Sequence, residues 1–255
     1  MKLSRKLVLW GAKLPIDVAV EPIRMRCYLR DNNSEKKFVF LPRRFDKRER
    51  QLLLESLPRD GVFVDIGANV GLYTLTAATH LSSQGRIIAL EPNPPVLERL
   101  YFNLQATRAG RREWPTIDVL PLGVADVPGE FELYLDPQNL GNSTIASPES
   151  RRTDNFSQDG TGEKTVRIPC QPLLTILEEQ SVTKIDALKI DIEGAEDIAL
   201  VPYLEAAPQS QLPQLILLEN SEHLWKRDLV GTLAKRGYTI QMRSRLNTVY
   251  RCDRD

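Results

Sequence analysis

The stretch from Val62 to Leu75, VFVDIGANVGLYTL, constrains this chain more than any other. Val62 to Ile66 is a short apolar run, the pattern of a strand buried on both faces. Gly67, Ala68, Asn69, Val70 and Gly71 are too small and polar to continue it. From Val70 onward, Thr74, Ala77, Ala78 and Leu81 fall at helical spacing. A strand, a glycine turn and a helix therefore meet within a few residues. This aims backbone N–H groups and the positive end of a helix at a ligand above the strand tip.

The details of the turn narrow the ligand. A dinucleotide fingerprint needs glycine at 67, 69 and 72, whereas this chain has Gly67, Asn69 and Leu72, which disfavours a nicotinamide enzyme. No Gly-Lys-Ser/Thr follows, so a Walker loop is excluded. Instead Asp65 stands two residues before the first glycine. An acid there suits a ligand with an ammonium group and hydroxyls, and repels a pyrophosphate.

The 255 residues are 42% hydrophobic and 27% charged, which fits one globular domain with a small extension. Lys+Arg and Asp+Glu balance at 34 each, so the overall field does not favour nucleic acid. Cys27, Cys170 and Cys252 are odd in number and widely spaced, which points away from a disulfide framework or zinc site and toward a reducing, cytoplasmic setting. No apolar run is long enough to span a membrane.

Residues 1–14 carry Lys2, Arg5, Lys6 and Lys13, with Leu3, Leu7, Trp10 and Leu14 on one helical face. Such a helix docks on its own domain, docks on a second subunit in a homodimer, or rests peripherally on an anionic membrane. Strands are expected at Ile23–Leu29 and Phe38–Leu41 around a turn at Asp31–Ser34, and Asp46 is expected to cap the following helix.

After the glycine turn and its helix, RIIALE makes a second strand ending at Glu91. A carboxylate at that strand end can accept both hydroxyls of a ribose, and α/β sheets bind ligands there. Asn93 and Pro94 suit the start of the next helix. Gly123–Asp126, beyond a third strand, lies where an adenine ring can be clamped. Asn139–Thr144 is a polar loop, and Ser147–Glu163 reads as a lid. DALKIDIEGAE gives a buried strand with Asp191 near its end and Glu193 just beyond. QLILLENSEH gives a fifth strand ending at Glu219 and Asn220, with His223 opening the next helix. Tyr238–Met242 and Thr248–Cys252 pair at the end.

This alternation is similar to the α/β, Rossmann-like class I methyltransferase architecture. That fold is a seven-stranded sheet, mostly parallel with an antiparallel C-terminal pair, in the order 3-2-1-4-5-7-6. The strings VFVDIGANVGLYTL, ALEPNPPVLERLYFNL, NLGNST and ALKIDIEGAE, in this order, resemble the FkbM family of methyltransferases. The likeness covers residues 55–255 as a methyltransferase domain, and leaves residues 1–54 as an N-terminal extension of amphipathic helix and β-hairpin.

The resemblance implies S-adenosylmethionine as cofactor and transfer of its methyl group to a hydroxyl of a sugar, glycan or secondary metabolite. On that pattern Asp65, Gly67, Asn69 and Gly71 hold the methionine end, Glu91 binds ribose and Val124 contacts adenine. Asp191 and Glu193 line the pocket where the methyl group is exposed, and His223 is a further proton acceptor. His80, at the far end of its helix, reads as structural. A metal-assisted variant would place Mg²⁺ on Asp191, Glu219 and Asn220, by likeness to catechol-type enzymes. The competing reading is a protein of this fold that binds the cofactor without catalysis.

Overall fold

The computed structural model describes residues 13–145 and 164–252. It begins with an antiparallel hairpin, β1 (Ile16–Val20) and β2 (Ile23–Cys27), paired from Ile16↔Cys27 to Val20↔Ile23. The segment expected to turn at Asp31–Ser34 and return as a strand is instead helix α1 (Asn33–Phe40). The side chain of Asn32 accepts from the Glu35 N–H and so caps that helix. An acceptor side chain at the cap with Glu three residues on is an N-terminal helix signature, and it outweighs the strand preference of Phe38 and Val39. Helix α2 (Lys47–Ser56) follows. Asp46 stands at its N-cap position but makes no capping bond, and accepts from the Tyr73 hydroxyl at 3.2 Å.

The remaining chain is β3 (Val62–Ile66), α3 (Leu72–His80), β4 (Arg86–Leu90), α4 (Pro94–Arg108), β5 (Thr116–Leu120), β6 (Gly123–Val124), β7 (Gly129–Leu135), β8 (Lys164–Gln171), α5 (Leu173–Glu179), β9 (Ala187–Ile190), α6 (Glu196–Ala206), β10 (Leu215–Glu219), α7 (Leu229–Lys235), β11 (Thr239–Arg243) and β12 (Asn247–Arg251). The main sheet runs β11-β12-β10-β9-β3-β4-β5. Numbered among themselves, these strands give 3-2-1-4-5-7-6, the class I methyltransferase order. β10, β9, β3, β4 and β5 are parallel, and β12 and β11 close the sheet antiparallel. β6, β8 and β7 form a separate small sheet beside the strand ends.

Parallel strands need cover on both faces, and the alternation along β3 supplies it. Val64 and Ile66 join Ile88, Leu188, Ile190 and Ile216 in one core with α5, α6 and α7. Phe63 joins Ile87, Ala187, Leu215 and Val249 in a second core with α2 and α3. A third core ties the N-terminal segment to the glycine turn: Met25, Leu29 and Phe38 pack with Val70, Leu75 and Val96.

The basic amphipathic helix expected in residues 1–14 lies almost wholly outside the described residues, as does the lid expected over Ser147–Glu163. All three cysteines are free and buried. No helix among the described residues is long and apolar enough to cross a membrane.

Candidate functional site

The carboxyl ends of the parallel strands open on a cavity of about 610 Å³, part of it open to solvent. One wall is the glycine turn, with Gly67 and Asn69. Gly67 has φ +70, and a Cβ there would run into the Asp191 carbonyl oxygen, so the turn passes β9 only because that residue has no side chain. The Gly67 and Ala68 N–H groups donate to the Leu90 carbonyl at 3.0 and 2.9 Å, which docks the turn onto the end of β4.

Glu91 is the first residue beyond β4 and lines the cavity. Its two carboxylate oxygens accept from the backbone N–H of Asn93 at 2.9 Å and of Asn69 at 2.8 Å. These fix the plane of the carboxylate and leave each oxygen a second lone pair for a ligand hydroxyl. Burial pushes its pKa up to about 7, against the pull of the two N–H groups and of Lys189.

Leu122, Val124, Leu133 and Ile168 make an apolar slot beside Glu91. Residues of the loop from Leu140 to Ile145 line the cavity as well, with Gly141 against the Asn69 side chain. The loop is tied down from the Glu91 side, where the Asn93 amide donates to the Leu140 carbonyl and the Ser143 hydroxyl, both at 3.2 Å. The Thr144 hydroxyl donates to the carbonyls of Ile192 and Glu193, each at 3.1 Å.

Asp65 does not face this cavity. It is fully buried beneath the turn, where one oxygen accepts from the Thr74 hydroxyl at 2.6 Å. The other oxygen has no hydrogen-bond partner and lies 3.7 Å from the Lys189 ammonium. Burial raises its pKa, and Lys189 opposes the rise. Asp65 is still inside a strand, in register with Lys189 on β9 and Ala89 on β4, so it points into a sheet face rather than past the sheet end.

Lys189 is the residue that sequence reasoning missed. Its Nζ donates to the Gly67 carbonyl at 2.7 Å and stands 3.7 Å from both Asp65 and Asp191, over the ring of Tyr73 at 5.7 Å. Burial pulls its pKa down, but Asp191, Asp65, Glu219 and Glu91 outweigh it and the net shift is upward. The signal was present in ALKI: a lysine within an otherwise apolar buried strand needs a partner.

Asp191 lines the cavity and is partly exposed. Glu193 and Glu219 stand beside it, each offering an oxygen within 4.8 Å of the others. Burial and the neighbouring Asp191, Glu193 and Glu196 raise the pKa of Glu219 well above the carboxylate range. Glu196 was not singled out from the sequence either. Its buried carboxylate accepts from the N–H groups of Ile192 at 2.9 Å and Gly194 at 3.1 Å, and from the Trp225 indole at 2.9 Å, shaping the turn that carries Glu193.

The structure thus brings Gly67, Asn69, Glu91, Val124 and Asp191 to the cavity wall. Gly71, with φ +96, is the N-cap of α3 and not part of that wall. His223 lies exposed in the turn before α7, which starts only at Leu229, and does not line the cavity. The Asn220 side chain, expected beside Asp191 and Glu219 in the metal-assisted variant, is engaged by the terminal strand pair. Its amide donates to the Ser244 carbonyl at 3.0 Å and its oxygen accepts from the Thr248 hydroxyl at 2.6 Å, which locks the terminal strand pair.

A family model for the Methyltransferase FkbM domain matches residues 65–240. The chain is 29% identical to Methyltransferase sdnD of Sordaria araneosa over 56% of this chain and 60% of that protein. It is 27% identical to Hexuronic acid methyltransferase AglP of Haloferax volcanii over 57% of this chain and 51% of that one. The match therefore spans half to three-fifths of the length of these curated relatives. Among solved structures, Methyltransferase FkbM from Methylobacillus flagellatus KT matches with a TM-score of 0.44 and 18% identity, covering 88% of this chain and 56% of that one.

Proposed function

Since the chain belongs to the FkbM family of methyltransferases, we propose that it moves the methyl group of S-adenosylmethionine onto a hydroxyl oxygen of a sugar, glycan or secondary metabolite. The observation that carries this reading is the cavity itself. A carboxylate pinned by two backbone N–H groups stands between a glycine turn and an apolar slot. These residues fit the cofactor: Glu91 for the ribose hydroxyls, Leu122, Val124, Leu133 and Ile168 around the adenine, and Gly67 and Asn69 at the amino-acid end. When bound, the cofactor supplies an activated methyl group and a good leaving group.

What remains for the protein is to hold a hydroxyl in line and to take its proton. Positioning of this kind lowers a barrier by about 7–11 kcal/mol. Asp191, at the cavity wall, orients the hydroxyl. An isolated carboxylate, with pKa about 4, is a poor base for an alcohol. Glu219, whose proton affinity is raised by burial and by its carboxylate neighbours, stands in the same cluster and is its stronger base. Lys189, 3.7 Å from Asp191, offsets part of the negative field.

The relative named a hexuronic acid methyltransferase supports a sugar acceptor. The same acidic cluster repels an acceptor carboxylate, which favours an ether over an ester product. The test is isotopic methyl transfer across a panel of glycosides and hydroxylated metabolites, followed by mild alkali. A methyl label that survives alkali supports the hydroxyl reading. A label lost as methanol refutes it, and cofactor binding without any transfer supports the non-catalytic alternative.

A further inference from the structure

We infer that Asn32, with Asp31 and Asn33 beside it, positions both loops of the cofactor cavity, which makes the N-terminal segment a working part of the site. This rests on the proposed use of the cavity for S-adenosylmethionine.

Asn32 is fully buried and uses both ends of its amide. The oxygen accepts from the Glu35 N–H at 3.1 Å and caps α1. The nitrogen donates to the Asn69 side-chain oxygen at 2.8 Å. Asn69 sits in the left-handed region at φ +51, with its own N–H held by Glu91 and its side-chain oxygen also accepting from the Val70 N–H at 2.8 Å. Asn32 therefore braces the one non-glycine residue of the turn that carries a positive φ.

The two flanking residues hold the Asn139–Thr144 loop. The Asp31 carbonyl accepts from the Leu140 N–H at 2.8 Å, and the Asn33 N–H donates to the Asn139 side-chain oxygen at 2.9 Å. Consecutive residues thus touch the glycine turn and the Asn139–Thr144 loop at once. Arg99 of α4 fixes this bracket by pairing with both carboxylate oxygens of Asp31, at 3.0 and 2.8 Å. The bracket lies upstream of the residues the family model matches, 65–240. Two loops held in place before a ligand arrives leave less ordering to be done on binding.

The test uses the full chain with Asn32→Asp and Asn32→Ser. Both side chains keep an oxygen to cap α1. Asp sets an acceptor against the Asn69 oxygen, and Ser is too short to reach it. Calorimetry with S-adenosylhomocysteine is expected to show about tenfold weaker binding in both variants, with the melting temperature within about 5 °C of the parent. If Asn32→Asp does not fold, Asn32→Ser decides. Unchanged affinity in the folded variants, with or without a lower melting temperature, overturns the inference and leaves Asn32 a structural cap. No binding by the unaltered chain overturns the cofactor reading itself, and this inference with it.

Discussion

Asp65 and Glu91 look equivalent in the sequence, each an acid near the end of one of two neighbouring parallel strands, yet they serve opposite ends. Asp65 is in register with Ala89 and Lys189 and is sealed under the glycine turn. Glu91 stands one residue past the last paired position of β4 and opens on the cavity. The difference is one of register: a carboxylate inside the ladder meets a sheet face and needs a buried partner, and one beyond the ladder opens on the cavity. Asp65 accordingly supports the turn through Thr74 and Lys189, whereas Glu91 is held by two N–H groups at the cavity wall, where the proposed reading places the ribose hydroxyls.

The largest expected effect separates the two acids by stability. Asp65→Ala leaves the Lys189 ammonium without one of its two near carboxylates and is expected to cost about 3 kcal/mol in denaturant unfolding. Glu91→Gln turns an amide nitrogen toward one of the two backbone N–H groups and is expected to cost less, about 1–2 kcal/mol. Equal losses would show that Glu91 is also a structural acid.

Affinity separates them in the other direction. Glu91→Gln loses a charged acceptor and is expected to weaken S-adenosylhomocysteine binding by about 10- to 100-fold. A conservative Asp65→Asn that still folds is expected to bind within a few-fold of the parent, as measured by calorimetry.

A smaller effect follows from the Glu91 pKa of about 7, raised from 4.5. On the proposed reading the ionised form accepts the ribose hydroxyls, so affinity is expected to rise as pH increases from 6 to 8 and to level off above. The stability contribution has the opposite sign. The folded state binds this proton more tightly than the unfolded chain, so the contribution is complete below about 4.5 and lost as pH rises through about 7. Glu91→Gln removes the Glu91 contribution to both dependences. A pH-independent Kd in the parent would place the Glu91 titration outside the binding step.

The smallest effect concerns the acidic end of the cavity. Asn220 is committed to the terminal strand pair and Lys189 already counters Asp191. Methyl transfer is therefore expected to survive exhaustive chelation unchanged. A loss restored by Mg²⁺ would make Asp191, Glu193 and Glu219 a metal site.

Much of the fold was legible because each buried strand had to be apolar on both faces. VFVDI, RIIAL and LILLE could hardly be anything else, and their order gave the sheet. The N-terminal segment was misread because Phe38 and Val39 carry strand preference, while the deciding contact, Asn32 with Glu35, is a local capping bond. The sequence suggests Asp65 for the cavity wall because strand position along the chain does not say where the ladder stops, and the structure keeps it inside the ladder. His223 suggested a base by residue type alone, but the next helix starts later, at Asp228 and Leu229, and leaves it exposed on a turn. Lys189 and Glu196 act through partners far from them or across a turn, which a linear reading does not assemble.

The central claim is that Glu91 opens on a cavity made for an adenosyl amino acid. Titration of the unaltered chain and of Glu91→Gln with S-adenosylhomocysteine in a calorimeter tests it most directly. The account predicts saturable binding of one ligand per chain, at least about tenfold weaker in the variant. No heat from the folded parent chain, or equal affinity in both proteins, would contradict it.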